Sequence, residues 1–209
     1  MNAQTEIRLL QGQAGALECA LDGAHDAPGL ALLCHPHPLH GGTMHHKVVQ
    51  TLARAFVQLG WRSVRFNYRG VGQSDGAWDA GRGEVDDAMD VLQALRAPGQ
   101  PLALAGFSFG SYVASQVAAR VAAQAPAQAL VLVGPAVETF PLAPVPADAL
   151  VIHGELDDVV SLRGVLDWAR PQALPVTVVP GAGHFFHGQM GLLKSLVLRG
   201  CRPPATGPR

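Results

Sequence analysis

The chain has 209 residues, 48% of them apolar and 15% charged, enough to bury one sizeable core without disulfides or metals. A formal net charge of −1, with Lys and Arg scattered and no basic stripe, gives no electrostatic reason to expect nucleic acid or an anionic membrane as partner. No run of about 18 apolar residues exists to cross a membrane. The start MNAQTEIRLL lacks the basic-then-apolar pattern of a leader, so a soluble, cytoplasmic protein is expected. Cys19, Cys34 and Cys201 are odd in number and lack metal spacing, and are read as reduced structural thiols.

In chain order, strands are expected near 5–10, 16–22, 30–34, 62–67, 101–105, 128–133, 148–153 and 174–179. Helical patterns near 46–59, 83–96, 109–123, 161–170 and 186–199 fall between the later ones. Two opening strands joined by a turn predict an antiparallel edge. The alternation that follows predicts a doubly wound, mostly parallel α/β sheet of about eight strands covered on both faces. Residues 1–200 form one domain in this reading, and the Pro- and Gly-rich tail 201–209 is expected to fray. The acidic stretch EVDDAMD at 84–90 reads as a solvated opening turn that complements the helix dipole.

The chemistry begins at residues 101–110, PLALAGFSFG, an apolar run that stops at Gly-x-Ser-x-Gly centred on Ser108, with a small-residue helical pattern directly after it. Strand, sharp turn and helix give this motif its meaning, and small residues two before and two after the serine allow the neighbouring chain to pass close. A serine hydroxyl is a weak nucleophile until a base takes its proton. Two later strand ends supply candidates: His153-Gly154-Glu155-Leu156-Asp157-Asp158 and Pro180-Gly181-Ala182-Gly183-His184. Ser108, Asp157 and His184 follow the order nucleophile, acid, base, each just past a predicted parallel strand. Asp158 and the nearby His187, placed within the start of the last helix, are the alternatives to Asp157 and His184.

With these residues the chain resembles the α/β-hydrolase superfamily, and within it the short, lidless bacterial esterase-like proteins. Four blocks carry the resemblance: LLCHPHPLHGGTMHHKVV at 32–49, RFNYRGVGQSDG at 65–76, GFSFGSYVA at 106–114, and HGELDDVV with PGAGHFF near the end. The chain departs from the group at His45-His46, where Asp-Asn is common, and at Ser161, where Pro is common; Ser161 reads as a helix cap. The resemblance implies an α/β-hydrolase fold without a cap domain, since the segment 134–147 is too short and Pro-rich for a helical lid. It also implies Ser108 as nucleophile, His184 as base and Asp157 as the acid that orients it.

The cluster His35, His37, His40, His45 and His46 invites a metal reading, but residues 29–50 contain no Asp or Glu beside it. The prolines favour another role. Pro36 and Pro38 have no backbone N–H, so within Pro36-His37-Pro38 only His37 can donate one, and Phe109, directly after the nucleophile, is its natural partner in an oxyanion hole. Gly70, Gly72 and Gly76 miss the dinucleotide-binding spacing, and Asn67 and Arg69 read as backbone braces.

The expected protein is therefore a serine esterase of small-molecule carboxylic esters that needs no cofactor and no metal and works through an acyl-enzyme. Thioester or amide hydrolysis would use the same triad, and a non-catalytic binding protein on this fold is the reading from another class. The sequence carries no signal for an oligomeric state.

Overall fold

A computed structural model describes residues 5–205. Eight strands form one sheet: β1 (Glu6–Gly12), β2 (Gly15–Asp22), β3 (Gly29–Cys34), β4 (Trp61–Phe66), β5 (Leu102–Phe107), β6 (Ala129–Val133), β7 (Leu150–Gly154) and β8 (Val176–Val179). Their spatial order is β1-β2-β4-β3-β5-β6-β7-β8. β2 runs antiparallel to both β1 and β4, and the remaining neighbours are parallel. Strands β3 (GLALLC) and β5 (LALAGF) are buried at every residue, because helices cover both of their faces and neither face needs polar residues. Edge strand β1 alternates exposed and half-buried positions.

Five α-helices cover the sheet: α1 (Lys47–Gln58), α2 (Arg82–Leu95), α3 (Phe109–Val121), α4 (Leu162–Ala169) and α5 (Met190–Gly200). Helices α1 and α5 close one core around Phe56, Trp61, Phe107 and Phe186. Helices α2, α3 and α4 close the other around Phe66, Tyr68, Phe109 and Val165. This is the doubly wound, mostly parallel α/β architecture read from the pattern. Residues 134–149 form turns and no helix, so among the described residues this segment lays no helical cap over the carboxyl ends of the strands. No described helix is long and apolar enough to cross a membrane.

The topology places the site. From β3 the chain steps outward to β4 on one side and returns to β5 on the other, so the exits of β3 and β5 lie side by side, with Cys34 paired to Gly106. A crevice outside the strand ends at such a reversal is where open α/β sheets bind ligands.

Three expectations are corrected. Helix α5 begins at Met190, four residues late, because Phe186 (φ 51°) and Gly188 (φ 74°) turn the chain into the left-handed region and break the helical run. His187 therefore lies in an exposed loop and not in the helix. The tail is docked over residues 201–205: the Trp61 indole N–H donates to Arg202 O at 3.0 Å, Ala205 N–H donates to the Gln128 side chain at 3.1 Å, and Cys201 and Pro204 are buried. Its prolines leave few N–H groups to satisfy, so the segment lies against apolar surface without a ladder; residues 206–209 fall outside the described residues. The acidic stretch is only partly solvated. Glu84 is buried and accepts from Asp79 N–H and Gly81 N–H at 2.9 and 2.8 Å, closing the start of α2. Asp87 is buried in a bidentate pair with the Arg69 guanidinium at 2.7 and 3.0 Å.

Ser161 caps α4, its Oγ accepting from Gly164 N–H at 2.9 Å. Asn67 braces two loops, accepting from Met44 N–H at 2.9 Å and donating to buried Glu18 at 2.7 Å. His35 joins the exits of β3 and β4: one ring nitrogen lies 2.7 Å from Pro36 O, the other accepts from Tyr68 N–H at 3.2 Å, and Tyr68 OH donates to His35 O at 3.2 Å. Those partners require the neutral imidazole with its proton on Nδ1. Burial pushes the His35 pKa down from 6.5 to about 3.

This histidine links pH to stability. Below pH 6.5 the unfolded chain takes up a proton on His35 while the folded chain refuses it until about 3. Its contribution is therefore intact above pH 6.5 and is lost on acidification, by up to about 1.4 kcal/mol per pH unit. Urea unfolding between about pH 7 and 5 should show a shallower loss of stability for His35→Gln than for the wild type. Equal slopes would mean that another group carries the acid sensitivity.

Candidate active site

Ser108 sits at the junction of β5 and α3 with φ 55° and ψ −119°, a conformation unfavourable for a residue with a Cβ. Four contacts hold it there. Ser108 N–H donates to Val133 O at 2.8 Å, fixing the turn to the end of β6. A side chain at Gly106 would overlap the backbone of Gly110, and one at Gly110 would overlap Cys34 O. Glycine at both positions lets β5, the first turn of α3 and the exit of β3 stack backbone against backbone. Ser111 Oγ, donating to Gly106 O at 3.0 Å, ties the turn from inside. The Ser108 side chain makes no capping hydrogen bond to α3, so its hydroxyl is held at the helix N-terminus without being consumed there.

The exits of β7 and β8 interlock, with Leu156 N–H donating to Ala182 O at 2.8 Å and Glu155 N–H to Val179 O at 3.0 Å. This juxtaposition brings Asp157 to His184, His184 Nδ1 lying 2.7 Å from Asp157 Oδ2. Asp157 Oδ1 accepts from Val159 N–H and Val160 N–H at 3.0 and 2.8 Å. Burial opposes ionisation of Asp157, but the hydrogen bond from His184 and those from Val160 and Val159 outweigh it and hold the carboxyl below its ordinary range. The carboxylate fixes the His184 proton on Nδ1 and leaves Nε2 as a lone-pair acceptor. The imidazole packs on Phe107, ring centroids 4.9 Å apart, and fills the space left by the absent side chain of Gly134. Phe107 precedes Ser108, and Gly134 follows the residue whose carbonyl holds Ser108 N–H. The imidazole thus leans on the two backbone segments that position the serine. Asp158 and His187 are both exposed, and neither takes part in the His184–Asp157 pair.

His37 lies on the loop leaving β3, its carbonyl accepting from His40 N–H and Gly42 N–H at 3.1 and 3.0 Å, which turns that carbonyl inward on its own loop. Among the described residues neither His37 N–H nor Phe109 N–H has a backbone acceptor. Their rings lie 5.3 Å apart. The remaining histidines separate by environment. His46 caps α1, accepting from Val48 N–H at 3.3 Å, and stacks on Phe107 at 5.0 Å. Burial first, and then the neighbouring His184, His187 and Lys47, push its pKa down to about 4. Among the described residues no three His, Cys, Asp or Glu side chains converge as a metal site would need.

Sequence reasoning missed two features. His153, at the end of β7, is buried with Nε2 3.6 Å from Asp157 Oδ2 and 3.1 Å from Val160 O, backing the carboxylate from the far side. The spacing His153-x-x-x-Asp157 was the available signal. The aromatic wall beside His37, made by Trp78 at 4.6 Å and Phe140 at 5.7 Å, had no local signal, because its two members come from loops far apart in the sequence.

An eight-stranded doubly wound sheet, uncapped, with a strained serine between β5 and α3 and an Asp–His pair at neighbouring strand ends, defines an α/β serine hydrolase. Residues 37–149 match the family described as serine aminopeptidase, S33, and the chain belongs to this family of the α/β-hydrolase superfamily. An uncharacterized protein of Rickettsia prowazekii (strain Madrid E) is 34% identical over 173 residues, covering 75% of this chain and 71% of the relative. Among solved structures, an α/β serine hydrolase without lid from Xanthomonas campestris superposes with TM-score 0.86 at 38% identity over 99% of each chain. An α/β serine hydrolase homologue from Coxiella burnetii does so with TM-score 0.82 at 39% identity, covering 93% of this chain and 96% of that one.

Relieving the backbone at Ser108 separates stability from chemistry. Ser108→Gly accommodates a φ of 55° without strain and should raise the unfolding free energy by roughly 1 kcal/mol, whereas Ser108→Ala should leave it nearly unchanged. Thermal unfolding of the two variants checks this; equal midpoints would show that the turn stores no strain.

Proposed function

We propose that this protein hydrolyses small carboxylic esters through an acyl-enzyme, with Ser108 as nucleophile, His184 as general base and acid, and Asp157 as the carboxylate that orients the imidazole. The reading rests on the 2.7 Å His184–Asp157 hydrogen bond, on the packing of the His184 ring against Phe107, the residue before Ser108, and on a Ser108 hydroxyl left uncommitted. In it, His184 Nε2 takes the hydroxyl proton as Oγ attacks the ester carbonyl. The His37 and Phe109 N–H groups receive the negative charge that develops on the carbonyl oxygen. Collapse expels the alcohol, which leaves with the proton from His184. Water then attacks the acyl-serine with the same histidine as base, releasing the carboxylic acid. Asp157 stays ionised throughout, holding the productive tautomer and stabilising the imidazolium. The small-molecule ester is the only partner this chemistry requires, and no step calls for a metal or cofactor.

The family's description keeps amide hydrolysis as a second reading, since the same triad cleaves both bonds. A panel of matched esters, thioesters and aminoacyl amides decides: ester turnover should exceed amide turnover, and the reverse order would make the protein a peptidase.

The acid assignment has its own test. Ser108→Ala, His184→Ala and Asp157→Asn should each lower turnover on the order of a thousandfold or more, because such groups act as a unit. Asp158→Asn should stay within about twofold of the wild type. Equal losses for the two aspartate variants would remove Asp157 from the mechanism.

Substrate size follows from the uncapped strand ends. Each CH₂ fully removed from water contributes roughly 0.8 kcal/mol, so a deep acyl tunnel would reward every added carbon, whereas an open cleft stops doing so after the first few. Acetyl and butyryl nitrophenyl esters should therefore have the highest kcat/KM, with values flat or falling by octanoyl and decanoyl. A steady rise through decanoyl would show that the loops form an acyl pocket.

A further inference from the structure

Outside the strand-end site, residues of α1, β4, α5 and the end of β2 line an open pocket of about 670 Å³, a volume suited to a small organic molecule. None of Ser108, Asp157, His184, His37 or Phe109 lines it. Its charged lining consists of Arg54 from α1, Arg65 from β4, Lys194 from α5 and a single carboxylate, Asp22 at the end of β2. A smaller groove of about 370 Å³ shares Gln50 and Arg54 with it and adds Lys47. The chain has only two lysines, Lys47 and Lys194, and both line this trough. The cations are far apart in the chain, so the sequence reads them as scattered, and only the fold collects them on one face.

The carboxylate does not neutralise them. Asp22 Oδ2 accepts from the Arg65 guanidinium at 2.8 Å and Oδ1 accepts from the Thr5 hydroxyl at 2.5 Å, which engages both of its oxygens. Arg54 donates to the uncharged Gln50 side chain at 3.3 Å, and among the described residues neither Arg54 nor Lys194 has a carboxylate partner. Arg65 is only 3% exposed, gives one hydrogen bond to Met44 O at 3.0 Å, and keeps a buried Nε–H with no partner. Burying a cation with an unused donor is costly without a matching acceptor. Ala53 and Val57 add apolar side chains to the lining.

We propose that this trough is a second binding site, separate from the hydrolytic one, for a small organic anion whose carboxylate or phosphate group lies between Arg54 and Lys194. The arginine fork and the ammonium supply charge-assisted donors, and the concave shape concentrates their field. Ala53 and Val57 receive the short apolar body of the ligand. A compact anion is favoured over a polyanion because the cations converge on one concave pocket and do not run along an extended flat surface.

Calorimetric titration with methyl phosphate and with succinate, at ionic strength matched by sodium chloride, tests the site. Saturable binding by at least one of them is expected, and the tighter one identifies the anionic group. The double variant Arg54→Gln/Lys194→Gln should raise the Kd at least about tenfold, the loss of roughly one charge-assisted hydrogen bond. Arg163→Gln, which removes an exposed charge elsewhere, should leave the Kd unchanged, as should Ser108→Ala. The proposal fails if neither anion saturates beyond the chloride control, if the double variant binds as well as the wild type, or if Ser108→Ala abolishes binding and so places the anion at the hydrolytic site. It also fails if only a long polyanion such as an oligonucleotide binds.

Discussion

The structure turns on one close approach of backbone to backbone. The first turn of α3 rests on the exit of β3, with Gly110 against the Cys34 carbonyl and Gly106 against Gly110. No side chain fits in either contact. Because the three segments touch, Ser108 is driven into its unfavourable φ and its hydroxyl is presented at the helix N-terminus. On the loop that follows the exit of β3, the His37 ring lies 5.3 Å from that of Phe109. A methyl group at either glycine would push those segments apart, and with them Ser108 from the exit of β3.

Around that contact, each histidine takes its character from its surroundings. His35, locked between Pro36 O and Tyr68 N–H, is a neutral structural link with its pKa pushed to about 3. His46 caps a helix, and His153 backs a carboxylate from behind. His184 alone combines a carboxylate on Nδ1 with a position against the backbone that holds Ser108. Nine chemically identical side chains are divided into different roles by hydrogen-bond partners and burial. The basic trough beside α1 shows the same logic with charge, since residues unremarkable in sequence become a cluster where three elements meet.

The fold was legible because its signals are local and repeated. Apolar runs such as GLALLC and LALAGF, each followed by a helical pattern, force strands buried on both faces, and short alternation of this kind forces a parallel sheet. Where the reading departed from the structure, a backbone conformation or a distant partner intervened. Phe186 and Gly188 delay α5 through positive φ, which composition does not reveal. Glu84 and Asp87 are buried because Gly81, Asp79 and Arg69 supply donors, so a charge pattern taken for solvent exposure was in fact satisfied internally. The tail beyond α5 is held by Trp61 and Gln128, partners far away along the chain.

The sequence by itself determined the order of strands and helices, the Gly-Phe-Ser-Phe-Gly turn and the candidates Asp157 and His184, because strand periodicity and glycine spacing act over a few residues. Which carboxylate meets the imidazole was decided only by the interlocked exits of β7 and β8, which bury the Asp157 side chain and leave Asp158 in solvent. The aromatic wall of Trp78 and Phe140 beside His37, the support of His153 and the gathering of both lysines on one face likewise belong to tertiary structure. The physical reason is that hydrogen bonds, ring contacts and charge fields act over a few ångströms in space, and folding alone sets which distant residues come that close.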